Sequence, residues 1–385
     1  MITKIEIENF KAHEYTFIAP GRLTVLVGPN GSGKTSLLQA MSYLGQCVKT
    51  PLLQVFKTGS DDDLAHLAHQ QKREPTAPMS LTARGEDAQG DWSLTIEIPH
   101  EAGDTGEDIS RRNYRASCQV GDTKWKTESG FGWPEVQDEL KKVADGRLLQ
   151  TSLAGTRLFR LTPRRLAEPS FSQTEIPLLS SDGHGLASVI SYMMTAERER
   201  FDQLLDAVRE IIPDIIDVRV RPRKATHVED TDFINTGELV RVMNHELLLD
   251  FQNSTKVPAH AVSDGTLVAL GLLAILFSES RPRFVLLDDL EQSLHPAAQE
   301  LLIAQLRKIL ERFPDLQILA TTHSPYLVDY LDPSEVWVFH KNPEGRLSCA
   351  SLASHDKAES SMKILTTGEF WSAEGEDWVS KGNDA

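Results

Sequence analysis

The sequence predicts an α/β fold whose main sheet is doubly wound and mainly parallel, and three patterns lead to that prediction. An apolar strand, a glycine-rich loop and a helix follow one another near the N-terminus. From Ser263 onward, helical and strand-like patterns alternate, which is typical of a parallel sheet covered by helices. Between these parts, residues 51–259 indicate an inserted region with an antiparallel β pattern followed by helices and strands. Both chain ends are therefore expected to contribute to one sheet.

The first elements are predicted from short apolar runs. Ile5 and Ile7 alternate with glutamates, as in a half-buried strand, and residues 23–27 form an apolar strand that stops at Gly28. Apolar residues then recur at helical spacing over 35–43. In the inserted region the same patterns predict a β meander, two helices and a strand-rich part, at 79–83, 92–98, 114–126, 185–194, 196–212, 217–224 and 237–251.

The C-terminal part has the regular alternation of an α/β sheet. Its apolar run LVALGLLAILF at 267–277 has the length of a buried helix and falls short of the roughly 18 apolar residues that span a bilayer. We therefore expect no membrane association. The predicted order is helix 266–277, strand 284–287, helix 297–313, strand 316–321, short helix 325–330 and strand 335–339.

Charge and cysteine content argue against a generally basic nucleic-acid-binding surface, a disulfide framework and a zinc site. The 56 acidic and 40 basic residues give a net charge of −16, so the surface would on average repel a nucleic-acid backbone. Arginines 219, 221 and 223 would share one face of a strand, and pairing with acids of the protein is favoured over a nucleic-acid contact. The three cysteines have no paired spacing, which indicates neither a disulfide framework nor a zinc site and favours the cytoplasm.

The strongest chemical signal is GPNGSGKT at 28–35, which matches GxxxxGK[ST] without a mismatch. Two glycines let successive N–H groups face one anion, and the helix that begins at Lys34 adds its dipole. Lys34 would reach the β- and γ-phosphates of a nucleotide, and the Thr35 hydroxyl would take one place around a magnesium ion. A plain glycine turn is the alternative. The predicted binding residues are Asn30, Gly31, Ser32, Gly33, Lys34, Thr35 and Ser36.

Two further strand ends carry candidate functional groups. The apolar strand 284–287 ends in Asp288 and Asp289, which a parallel sheet delivers to the edge where ligands bind. Asp288 is the predicted magnesium-side acid. Asp289 would orient or deprotonate the attacking water, with Glu291 in reserve; an N-cap for the next helix is the structural alternative. His323, after strand 316–321, would hydrogen-bond the γ-phosphate, although a lone histidine is more often structural.

Together with VSDGTLVALGLL at 262–273, these motifs resemble the ATPase head of the ATP-binding-cassette (ABC) type, most closely the branch related to RecF, SMC and overcoming-lysogenization-defect proteins. SDGT, LLDDLEQSLHP and TTHSPYLVDYLDPSEV are similar to the stand-alone AAA-family ATPases of prokaryotes, many of which are linked to phage defence. The resemblance implies a P-loop NTPase fold with an added antiparallel β lobe. The predicted domains are a discontinuous ATPase core at 1–50 and 260–350, an inserted lobe without identified catalytic motif at 51–259, and a tail packed on the core at 351–385.

The resemblance also implies roles for individual residues. Ser263, Asp264, Gly265 and Thr266 correspond to the signature motif, which contacts the γ-phosphate of a nucleotide held by a second subunit, so that two chains enclose two ATP molecules. His323 corresponds to the switch histidine. Because Ser263 also begins a helix, an ordinary N-cap explains this residue equally well. The sequence departs from the family at Asp289, where a glutamate is usual, in lacking a recognisable magnesium-sensing glutamine, and in lacking a coiled coil.

Two functions stay open at this point. The first is an ATP-hydrolysing homodimer that couples its nucleotide state to double-stranded DNA or to an effector protein. The second is an ATP-gated scaffold with low turnover that holds a separate nuclease or toxin inactive. The complete set of head motifs favours the first, and the shorter carboxylate of Asp289 favours the second.

Overall fold

The computed structural model describes residues 1–48, 55, 78–87, 90–98, 115–121, 123–126, 153, 155–172, 174–224 and 243–381. The chain forms two compact units. The first comprises Met1–Leu158, Arg283–Leu290 and Leu310–Ala385, and the second comprises Phe159–Pro282 and Glu291–Ile309.

Strands and helices follow the predicted order closely. The strands are β1 Ile2–Phe10, β2 His13–Ile18, β3 Leu23–Val27, β4 Met79–Asp87, β5 Gly90–Ile98, β6 Arg115–Val120, β7 Thr123–Lys126, β8 Thr156–Phe159, β9 Ile215–Lys224, β10 Met243–Phe251, β11 Ser254–Pro258, β12 Phe284–Leu287, β13 Gln317–Thr321, β14 Val336–Lys341 and β15 Leu347–Ser351. The helices are α1 Lys34–Cys47, α2 Pro163–Leu166, α3 Leu186–Ala196, α4 Arg198–Ile211, α5 Asp264–Phe277, α6 Pro296–Arg312, α7 Pro325–Val328, α8 Ala358–Ser361, α9 Thr367–Glu374 and α10 Trp378–Lys381.

A mainly parallel sheet carries the glycine-rich loop. In the described part of the chain its strand order is β15-β14-β3-β13-β12-β8, with β14, β3, β13 and β12 parallel and β15 antiparallel to β14. Every residue of β3, β12 and β13 is buried, which explains why their sequences are mainly apolar and do not alternate between apolar and polar residues. The doubly wound, mainly parallel sheet predicted from the sequence is confirmed.

A second, antiparallel sheet belongs to the same unit. Its strand order among the described residues is β2-β1-β4-β5-β6-β7. The meander strands β4 to β7 extend the sheet that β1 begins, so they lie in the first unit, whereas the sequence-based division assigns them to the insertion. Strand β2 was not predicted, because two of its buried residues are His13 and Thr16 and its apolar alternation is weak.

Gln317 joins three segments of the first unit through its buried side-chain amide. Its Oε1 accepts from the backbone N–H of Ile2 at 3.0 Å, and its Nε2 donates to the carbonyls of Ile2 at 2.8 Å and Gly21 at 2.8 Å. Gln317 therefore provides hydrogen-bond partners for backbone groups of β1 and of the segment before β3. Buried backbone N–H and C=O groups need such partners, because water does not reach them.

The second unit is built around α5. All residues of this helix from Thr266 to Phe277 are buried, in agreement with the run LVALGLLAILF. Leu166 of α2 packs on Gly271, where a Cβ atom would collide with the leucine side chain. In the described residues its sheet has the order β11-β10-β9 and is antiparallel.

The arginines of β9 pair with acids of the neighbouring strand. Arg219 contacts Asp250 at 2.6 Å, and both Arg221 and Arg223 contact Glu246, at 2.6 and 3.1 Å. Both acids are buried while the arginines are exposed to about half. The preference for internal ion pairs over a free basic patch is thereby confirmed for this strand.

The residues after β15 pack against other parts of the first unit. Helix α9 lies against α7, and the Thr367 hydroxyl donates to the carbonyl of Leu331 at 2.6 Å. Trp371 is buried, and the Trp378 ring packs edge-on against His355. Within the described part of the chain, no helix is long and apolar enough to cross a bilayer.

The cysteines are free thiols, as their spacing predicts. Burial raises the pKa of the Cys118 thiol to about 11 and that of Cys349 to about 12. These thiols are therefore protonated at neutral pH and poor nucleophiles.

Replacing Gln317 by leucine tests the role of its amide. We expect the Gln317→Leu variant to lose about 2–4 kcal/mol of unfolding free energy, because buried backbone groups lose their partners. The matched control is Gln46→Leu, on the exposed side of α1, which should stay within about 0.5 kcal/mol of the parent chain. Urea unfolding followed by fluorescence measures both, and equal midpoints for the two variants would contradict the assignment.

Candidate nucleotide site

The glycine-rich loop joins β3 to α1 at the carboxyl edge of the parallel sheet. Gly28 has a φ of 137°, and a Cβ atom there would collide with the carbonyl oxygen of Phe339. Gly33 has a φ of 91°, and a Cβ would lie 2.6 Å from Leu347 and 2.8 Å from His13. Both positions therefore require glycine.

Lys34 is folded back over this loop. Its side chain is only 5% exposed, and its ammonium donates to the carbonyls of Gly28 at 2.8 Å and Pro29 at 3.0 Å. The loop thus holds a buried positive charge among backbone groups, which is the environment that a phosphate group requires. Among the other predicted loop residues Ser32 is buried, Ser36 and Thr35 are half-buried, and Asn30 and Gly31 are exposed.

Asp288 is the point at which the loop and two strands meet. Its carboxylate is 5% exposed, and Oδ1 accepts hydrogen bonds from the hydroxyls of Thr35 at 2.9 Å and Thr321 at 2.8 Å. The parallel register aligns Leu287 of β12 with Ala320 of β13, which brings the ends of these strands side by side.

The oxygen donors of Thr35 and Asp288 fit a magnesium ion. Magnesium prefers oxygen ligands and is usually held by one or two protein groups together with substrate phosphates and water. The Thr35 hydroxyl and the Asp288 carboxylate lie within hydrogen-bond distance of each other beside the phosphate loop. Over the described ranges, no group of three or more His, Cys, Asp or Glu side chains is arranged to hold a metal by itself.

Thr321 is a candidate functional residue that the sequence analysis missed. It is 1% exposed, donates to Asp288, and accepts the backbone N–H of Asp289 at 2.9 Å through the same hydroxyl. One side chain therefore holds the carboxylate of Asp288 and the backbone of Asp289. In the sequence it is the last residue of a buried strand, where a threonine is indistinguishable from an ordinary β-branched strand residue.

Asp289 lies in the left-handed region of the backbone map, with a φ of 58°. Aspartate adopts this conformation more readily than longer side chains do, because its short carboxylate can bond locally. Aspartate at this position is therefore compatible with the local backbone. Its side chain is half-buried.

The remaining candidates occupy two different parts of the chain. His323 is exposed and follows Thr321 at the carboxyl end of β13, which lies between β3 and β12. Glu291 is half-buried and is the first residue of the chain segment that returns to the second unit. The structure thus joins Thr35, Asp288 and Asp289 through hydrogen bonds that include Thr321, and His323 lies at the same sheet edge.

The segment Ser263–Thr266 opens α5 in the second unit. The Ser263 hydroxyl accepts the N–H of Thr266 at 3.3 Å, so the residue is an N-cap, and it lies 2.7 Å from the Thr266 hydroxyl. Ser263 and Asp264 are exposed, while Thr266 is buried. A Cβ atom on Gly265 would lie 2.5 Å from the carbonyl oxygen of Ser293, so glycine permits the close approach of the loop that follows Glu291.

The class of protein is that of the P-loop ATPases, which combine a phosphate-binding loop with acids at the carboxyl edge of a doubly wound sheet. Among solved structures, the fold is similar to that of SMC heads. The chain is similar to the SMC head domain from Thermotoga maritima, with a TM-score of 0.50, 14% identity, and coverage of 91% of this chain and 98% of that one. It is similar to an SMC head bound to the C-winged helix domain of ScpA, with a TM-score of 0.57, 14% identity and the same coverages. A third similar structure is an SMC head with an extended coiled coil, bound to the C-terminal domain of ScpA derived from Pyrococcus furiosus. Its TM-score is 0.52 and its identity 12%, and the match covers 94% of this chain and 98% of that one.

Sequence comparison gives the family. Residues 23–329 match the AAA_21 family model, described as "AAA domain, putative AbiEii toxin, Type IV TA system". The chain belongs to this family, and its fold is similar to that of SMC heads. A shorter match, 49% identical over 43 residues, links it to the DNA replication and repair protein RecF of Chlorobium luteolum, and spans 11% of this chain and 12% of that protein.

Replacing Thr321 by valine separates nucleotide binding from turnover. We expect Thr321→Val to lower the ATP hydrolysis rate at least about tenfold and to change the ATP dissociation constant less than about threefold, because Thr321 holds the Asp288 carboxylate and the Asp289 backbone and not the loop amides. The control is Thr82→Val, which removes a buried strand hydroxyl bonded to Thr95. Calorimetric binding and steady-state kinetics measure both, and equal rates in the two variants would contradict this role.

Proposed function

We propose that this protein binds ATP with magnesium at the loop 28–35 and hydrolyses it to ADP and phosphate, as one head of a homodimer that encloses two ATP molecules. The observation that carries the proposal is the pair of hydrogen bonds from Thr35 and Thr321 to Asp288. They join the phosphate loop to the strand ends that bear the acids, and such convergence is what phosphoryl transfer requires.

In the proposed reaction each group has one task. The loop amides and the Lys34 ammonium bind the β- and γ-phosphates, replacing the carbonyl partners that Lys34 has now. Thr35 and Asp288 would hold magnesium, which when bound neutralises phosphate charge. Asp289 orients the attacking water and accepts its proton, with Glu291 as the alternative base, and His323 hydrogen-bonds the γ-phosphate.

The dimer is proposed from the second unit. Ser263 and Asp264 are exposed at the N-terminus of a 14-residue helix, and Gly265 and Thr266 complete the segment. Amides at such a position attract anions. We propose that this segment contacts the γ-phosphate of the nucleotide bound by the other subunit, so that ATP closes the dimer and hydrolysis opens it.

The dimer is proposed to act on a partner in the cytoplasm, with antiviral defence as the biological setting. By their names, the RecF relative serves DNA replication and repair, and two of the similar SMC heads are bound to domains of ScpA. Because the arginines of β9 are engaged by Glu246 and Asp250, an effector protein such as a nuclease or toxin is favoured over double-stranded DNA.

Asp289 favours a second candidate function, an ATP-gated scaffold or sensor that turns over little. Its carboxylate is one methylene shorter than the usual glutamate, and its backbone N–H is fixed to Thr321. A carboxylate held short of the attacking water would slow proton transfer, since general-base catalysis depends on reach. The ATP-bound dimer would then be the long-lived state that holds a nuclease or toxin.

Two measurements on the purified chain separate these functions. The first is steady-state ATP hydrolysis with and without double-stranded DNA, and the second is the mass in solution with and without ATP. Turnover together with dimers that form on ATP supports the ATPase, and stimulation by DNA would identify DNA as the partner. Tight ATP binding with stable dimers and almost no turnover supports the scaffold. A chain that neither binds nor hydrolyses ATP would contradict both.

Replacing Asp289 by asparagine tests the base. We expect Asp289→Asn to lower turnover at least about a hundredfold and to accumulate an ATP-bound dimer, because the amide does not accept a proton from water. Size-exclusion chromatography with light scattering and a phosphate-release assay measure the two effects. The comparison variant is Glu291→Gln; wild-type turnover in Asp289→Asn with loss in Glu291→Gln would move the role to Glu291.

A further inference from the structure

The β1–β2 hairpin carries a histidine, at the start of β2, that touches the phosphate loop. His13 is fully buried, its Nε2 lies 3.0 Å from the carbonyl oxygen of Gly33, and its Nδ1 lies 2.7 Å from the hydroxyl of Thr16. We propose that His13 is a positioning residue for the phosphate-binding loop, an inference that rests on the proposed ATP binding at that loop.

The partners of the ring define its tautomer. A carbonyl oxygen only accepts, so Nε2 carries the hydrogen that bonds Gly33. In the neutral ring Nδ1 then accepts from the Thr16 hydroxyl, which orients the ring and fixes the tautomer. Thr16 is itself 4% exposed, so this pair of hydrogen bonds is sheltered from water. The donor that reaches Gly33 is thereby held in one orientation.

Holding the Gly33 carbonyl also orients the next amide. That carbonyl accepts a second hydrogen bond, from the N–H of Leu37 at 2.9 Å, along the axis of α1. Because a trans peptide is planar, the N–H of Lys34 is directed opposite to the carbonyl of Gly33, away from the helix. The first amides of a helix have no acceptor within it and are the groups that bind anions. His13 therefore directs an amide that the phosphate would use.

The loop and the ring leave each other little freedom. A Cβ atom on Gly33 would lie 2.8 Å from Cε1 of His13, so the backbone rests directly on the imidazole. The turn of the same hairpin makes a bond to α1, where Lys11 Nζ donates to Oε1 of Gln39 at 2.6 Å. The β1–β2 hairpin thus bonds to Gly33 at the start of α1 and to Gln39 farther along the helix. The antiparallel sheet therefore fixes the loop conformation before nucleotide binds.

The test compares His13→Leu, which removes the donor, with His13→Gln, whose side-chain amide restores a donor. The matched control is His355→Leu, which removes another histidine of the first unit whose side chain is 8% exposed and packs against Phe370 and Trp378. Dissociation constants for ATP and ADP, KM, kcat and the melting temperature are measured on the full chain. We expect His13→Leu to raise Kd and KM at least about tenfold with kcat within about twofold, and His13→Gln to recover binding to within about threefold.

His355→Leu should lower the melting temperature and leave nucleotide affinity unchanged. Thr16→Val, which keeps the ring and removes only the hydroxyl, should raise Kd by about threefold, so the inference stays testable if His13→Leu does not fold. Wild-type affinity in His13→Leu, or His13→Gln binding no better than His13→Leu, would overturn the inference alone. A parent chain that does not bind ATP would overturn the proposed function and this inference with it.

Discussion

The hydrogen bonds that converge on Asp288 are the constraint on which the site depends. One carboxylate oxygen accepts from Thr35 of the loop and from Thr321 of the neighbouring strand, and the Thr321 hydroxyl in turn holds the backbone of Asp289. This network exists only because β12 and β13 are parallel neighbours in register. The sheet therefore determines where a nucleotide and its attacking water would meet.

Burial makes this arrangement sensitive to what binds there. Lys34 and Asp288 are each 5% exposed, and charged groups in such surroundings need compensating partners. Lys34 receives them from backbone carbonyls and Asp288 from hydroxyls. A phosphate and a magnesium ion would provide stronger partners to the same two groups, since charge-assisted bonds exceed neutral ones. ATP binding would therefore replace the carbonyl partners of Lys34 and the hydroxyl partners of Asp288 with the phosphate and the magnesium ion.

Much of the fold could be predicted because burial on both faces leaves a clear record in the sequence. Strands β3 and β12 are short, mainly apolar runs and were predicted at their observed residues. Strand β2 was missed because its inward positions are occupied by a histidine and a threonine. The division into units also differs from the sequence-based one, since the pairing of β1 with β4 is a long-range contact that hydropathy does not encode.

The residues of the candidate site also fall into those that the sequence predicts and those that it does not. Lys34, Thr35 and Asp288 carry their chemistry in local motifs, whereas Thr321 and His13 act through partners far away in the chain. Residues whose role depends on a distant backbone group look like ordinary interior residues until the structure places them. The assignments of Ser263–Thr266 came from resemblance, and these residues stay predictions together with His323 and Glu291.

The measurement that tests the central claim most directly is isothermal titration calorimetry of ATP into the parent chain and into Lys34→Ala, each with and without magnesium. The account predicts one ATP bound per chain, tighter binding with magnesium, and a loss of affinity of at least about a hundredfold in Lys34→Ala, because the buried ammonium is the loop's charged phosphate ligand. Equal affinity in the two chains, or no binding by the parent chain, would contradict the assignment of the site.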